Sequence, residues 1–121
     1  MKPLLITAAS VLIALQSTAS LAEDCVAPEA PTLIEGEESS MEQMLEAQKA
    51  VKAFQTANLA YMDCLAPQLD AAEMAAKEGD ESAVERYTSI QQSYNDAVSR
   101  EEAVAEKFNT EIRDYKAANP G

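Results

Sequence analysis

Between Val84 and Tyr115 the chain repeats a mostly apolar residue at alternating three- and four-residue steps: Val84, Tyr87, Gln91, Tyr94, Val98, Glu101, Ala105, Phe108, Ile112 and Tyr115. That spacing predicts a long helix packed along another helix. A matching seam lies upstream: Met44, Ala47, Val51, Phe54, Asn58, Tyr61, Leu65, Gln68, Ala72 and Ala75. It keeps phase across Pro67, which falls at an outward position. A proline inside a helix costs about 3 kcal/mol and usually bends it. The pattern therefore predicts one helix over residues 40–78, kinked near 67, with two shorter helices broken at Ala66 as the alternative.

The ends of both helices carry their own signals. Ser39/Glu42 and Ser40/Gln43 each fit a capping box at the first start. Gly79 suits the left-handed cap that ends the first helix, and Asp80 the N-cap of a second helix over 80–118. So short a connection forces the helices antiparallel. The predicted fold is all-α: an antiparallel two-helix coiled-coil hairpin. Folding about Gly79-Asp80 sets Met44 against Tyr115, Val51 against Phe108 and Ala75 against Val84. It also sets Asn58 against Glu101 and Gln68 against Gln91, so that polar seam residues meet one another.

The N-terminal part reads differently. Lys2, an apolar run from Leu4 to Leu15 and the small-x-small Ser20-Leu21-Ala22 make residues 1–22 a signal peptide. Residues 23–39 follow as a strap, kept extended by Pro28 and Pro31. Two cysteines in a short exported chain most simply form one bond, Cys25–Cys64; an intermolecular bridge and a redox pair are the alternatives. Helix geometry allows the intramolecular bond. The strap can reach about 50 Å when extended, and the helix from Ser40 to Cys64 spans about 36 Å.

On that course the strap lays Val26, Pro28, Pro31, Leu33 and Ile34 over Ala50, Ala57 and Val104. The opposite flank, Gln48, Gln55, Met62 and Leu69 against Thr88, Asn95, Glu102 and Asn109, reads as largely polar. Beyond Cys64 the strap gives out. Leu69, Ala71, Ile90 and Ala97 then form a candidate interaction surface, for self-association or for a protein partner, with scattered exposure of modest apolar residues as the alternative.

Charge and residue inventory narrow the chemistry. With 21 acidic and 9 basic residues the net charge is −12, and loss of Lys2 with the signal makes the mature chain more negative. Such a surface repels nucleic acid and anionic lipid. After cleavage no apolar stretch is long enough for membrane insertion. There is no histidine, so the commonest general base and metal ligand is missing. With both cysteines bonded no thiol nucleophile remains. Glu101, Glu102 and Glu106 read as solvated or seam carboxylates rather than a catalytic pair. The expectation is a non-enzyme with no catalytic residues, no metal and no cofactor.

The strap, Tyr61-x-x-Cys64-Leu65, Tyr94-Asn95-x-Ala97-Val98 and Phe108-Asn109-x-x-Ile112 together resemble small exported bacterial helical-hairpin proteins of unassigned function. The resemblance covers most of the mature chain and implies no activity. The functional expectation is an exported structural or protein-interaction module, periplasmic or secreted. The alternative is a periplasmic chaperone-like binder of unfolded or cationic polypeptides.

Overall fold

Capping decides where the first helix begins. Ser40 Oγ accepts from Gln43 N–H at 3.1 Å while Gln43 Oε1 accepts from Ser40 N–H at 2.8 Å, so two otherwise orphaned amides are satisfied reciprocally. Of the two capping boxes the sequence offers, this is the one used. Ser39 instead turns its hydroxyl back to the Glu35 carbonyl. The computed structural model describes residues 24–121; the segment read as a signal peptide lies outside them. The described residues form a 3₁₀ turn at Gly36–Glu38, helix α1 at Met41–Lys77 and helix α2 at Glu81–Ala118.

Helix α1 passes through Pro67 as a single helix. Pro67 is exposed, so the carbonyl its ring leaves without a donor can turn to water. At the turn, Gly79 has φ 98°, a conformation that costs glycine little and other residues more. Asp80 then accepts from Ser82 N–H at 3.0 Å and starts α2, which packs antiparallel on α1 as the seams require.

Helix α1 buries the residues its seam named, among them Met44, Val51, Phe54, Asn58, Leu65 and Ala72. Helix α2 does so only in part. Tyr87, Tyr94, Glu101, Phe108 and Tyr115 are half-buried, but the fully buried positions are Ala83, Ala97, Val104 and Glu111. Val84, Gln91 and Val98 are exposed. Half of the predicted seam is therefore rotated by one residue. The rotation turns Val104 and Glu111 towards the strap, where they meet Leu33 and the Gly36 amide.

The strap is held at both ends and once between. Cys25 is bonded to Cys64 with Cα atoms 5.8 Å apart, 39 positions along the chain. In the loop-entropy account such a closure stabilises by about 3–4 kcal/mol. Leu33 is buried with Val51, Phe54 and Val104, against Ala47 and Phe108. Gly36 lies on α2, where its N–H donates to Glu111 Oε2 at 2.6 Å. The strap thus runs antiparallel to α1 and parallel to α2. Four details differ from expectation: Val26 is exposed and Ile34 stays partly in solvent, and Ala50 and Ala57, which the strap was to cover, are both exposed. Only Leu33 of the large apolar strap residues reaches the core.

Candidate functional site

Three places hold chemistry beyond packing: the strap latch, a buried polar layer, and the face of the hairpin that the strap leaves open. The latch is built on closeness. A Cβ on Gly36 would overlap the Glu111 carbonyl oxygen and stand 3.0 Å from Tyr115 N, so glycine is required there for space. Glu111 is only 4 % exposed. One of its carboxylate oxygens takes the Gly36 amide, and the other lies 3.5 Å from Lys107 Nζ. Nothing in the periodicity marks Glu111 as interior, because its partner is a backbone amide 75 positions away.

The polar layer lies in the middle of the hairpin. Asn58 is fully buried, and its Nδ2 donates to the Ala97 carbonyl at 2.9 Å. Asn58 Oδ1 and Arg100 Nε accept or donate no hydrogen bond. The Arg100 guanidinium lies 6.0 Å from the centre of the Tyr61 ring, the outer limit of a cation–π contact. The expected facing of polar side chains is corrected here. Asn58 bonds the α2 backbone rather than Glu101. Gln68 donates to Cys25 Sγ at 3.2 Å, while exposed Gln91 turns to Tyr87 of its own helix. Main-chain and sulfur acceptors exposed by close helix approach are invisible to a pattern of side-chain types.

Of the predicted interaction residues, Ala71 is exposed and Leu69 and Ile90 are half-buried. Ala97 is fully buried, and its carbonyl is occupied by Asn58. It cannot present a docking surface, because α2 turns that stripe towards α1 and the strap. Heptad position also parts the others. Ala71 shares the strap-side flank with Cys64, and Leu69 the opposite flank.

That opposite flank is not the polar surface its glutamines and asparagines suggest. Met41 is 58 % exposed, Leu45 50 %, Leu59 56 % and Val84 52 %. All four, with exposed Val98, share the heptad positions facing away from the strap. At the end near the start of α1 this face opens into a groove of about 470 Å³ lined by Met41, Leu45, Phe108, Ile112, Tyr115 and Lys116. An adjoining hollow is bordered by Gln48, Lys52, Gln55, Ala105 and Asn109. Periodicity could have found this face, since exposed Val84 and Val98 and half-buried Ala105 and Ile112 recur at one heptad position of the α2 seam.

Among the described residues no group of three or more Cys, Asp or Glu is placed to hold a metal ion. No helix among them is long and apolar enough to cross a membrane. The formed Cys25–Cys64 bond fits an oxidising compartment. No protein-family model matches the chain, and neither the curated proteins nor the solved structures contain a significant match.

Proposed function

We propose that this chain is an exported, non-enzymatic structural or protein-interaction module that works in the periplasm or outside the cell. The observation that carries the reading is a scaffold stapled by Cys25–Cys64 that leaves one long helical face uncovered. Exposed aliphatic residues gathered on one face mark an interaction site more often than scattered ones do. The resemblance to exported helical-hairpin proteins agrees with this reading. Crosslinking mass spectrometry on the native cell envelope tests it. The expected result is crosslinks from Lys52 or Lys116, both bordering the open face, to a defined protein or to a second copy. Crosslinks spread evenly over all the lysines and over many proteins would refute it.

The acidic surface supports a second reading, binding of unfolded or cationic polypeptides, with a net charge of −12 as its motivation. Protection of a basic client from aggregation that fades as salt is raised supports it. Protection that is absent, or indifferent to salt, counts against it.

A further inference from the structure

We infer that the open face of the hairpin takes a second copy of this chain, forming a four-helix dimer with the straps outermost. The inference deepens the module reading above and rests on it. It starts from area. The face extends over about 35 residues of α1, or about 50 Å at 1.5 Å per residue, and over two helices 8–10 Å apart. That gives roughly 900 Å² per copy, close to the ~800 Å² per partner of a standard stable interface.

Charge permits that partner. The chain carries −12 in all, yet the heptad positions of this face hold two lysines, Lys52 and Lys116, against three glutamates, Glu73, Glu81 and Glu102. The face carries about one net negative charge, and its Glu73 is already paired with Lys77, so a second acidic copy meets little net repulsion there. Lys52 and Lys116 also make no ion pair with another described residue.

Geometry then orients the copy. Measured from the Gly79 turn, Lys52 and Glu102 differ in height by about 6 Å, roughly one helical turn. A twofold axis parallel to the helices sets α1 of one copy beside α2 of the other. Each Lys52 then faces the other copy's Glu102, and Leu59 and Val98 lie at the centre. Every neighbouring helix in that bundle is antiparallel, as in up-down four-helix bundles.

The test is sedimentation equilibrium on the purified, oxidised chain up to about 100 µM, a range that detects dissociation constants into the micromolar. The wild type should sediment at twice the monomer mass. Leu59→Glu should weaken the dimer at least tenfold with unchanged helicity. Met74→Glu, at an equally exposed residue on the strap side (65 %), should leave it intact. Lys52→Glu should weaken the dimer, and Lys52→Glu with Glu102→Lys should restore it. A wild-type monomer throughout, or a dimer indifferent to Leu59→Glu, overturns the inference. A charge swap no tighter than Lys52→Glu alone overturns the paired arrangement. A monomer that still gives defined envelope crosslinks from this face ends the dimer and leaves the module reading standing.

Discussion

Replacing Gly36 by alanine should release the strap from the hairpin. The added methyl group has no room between the strap and the Glu111 carbonyl, so the backbone must lift. Lifting breaks the 2.6 Å bond from Gly36 N–H to Glu111 Oε2, and a hydrogen bond to a charged group contributes about 1.5–3 kcal/mol. It also draws Leu33 away from Val51, Phe54 and Val104, where burial of a leucine stabilises by about 1.5–3 kcal/mol. Together these give a loss of about 3–6 kcal/mol.

The loss has a ceiling. Once the strap has lifted, no further substitution in it can cost more than its docking energy. Leu33→Ala added to Gly36→Ala should therefore cost much less than it does alone. Urea denaturation followed by circular dichroism measures the stability, and hydrogen exchange of residues 26–38 reports the strap itself. A loss under 1 kcal/mol with unchanged strap protection would refute the steric argument. Additive losses would refute the claim that both residues act through one docking event.

Two further outcomes follow from polar groups. Asn58→Leu removes a buried carbonyl oxygen that accepts no hydrogen bond. The Ala97 carbonyl keeps its place in the α2 ladder, so the variant should melt unchanged or be up to about 1–2 kcal/mol more stable; a loss beyond 1 kcal/mol contradicts this. At the turn, the hydrogen bond from the Ser82 hydroxyl holds the Asp80 carboxyl below its ordinary range. A depressed pKa adds stability that is present above the unfolded value and lost as pH falls through the folded one. Asp80→Ala should therefore lower the melting temperature at pH 7, and its gap from wild type should close in titrations below about pH 4. A gap that persists at pH 2 rules this out.

Much of the scaffold was legible because it rests on local rules. Ser40 and Gln43, Gly79 and Asp80 mark the helix ends by their own chemistry, and the α1 seam needs only its period. Helix α2 was harder to place. Its apolar residues occupy two adjacent stripes, Ala97 with Val104 and Val98 with Ala105, and a period of seven fits both equally. The choice between them depends on a third element, the strap, whose docking point is a glycine with no side chain to announce it. Glu111 joined the core for the same reason. For the open face, helical glutamines and asparagines drew attention away from Met41, Leu45 and Leu59, which dominate it.

The strap also fixes an order of assembly. Residues near Gly79 are neighbours in sequence and can zip the two helices from the corner outward, whereas Gly36 and Glu111 stand 75 positions apart and must wait for that zipper to reach its far end. Distant pairs carry the larger closure cost. Oxidation at Cys25 and Cys64 shortens that wait by tethering the strap beside the groove it will fill, so the bond quickens assembly as well as fastening its result.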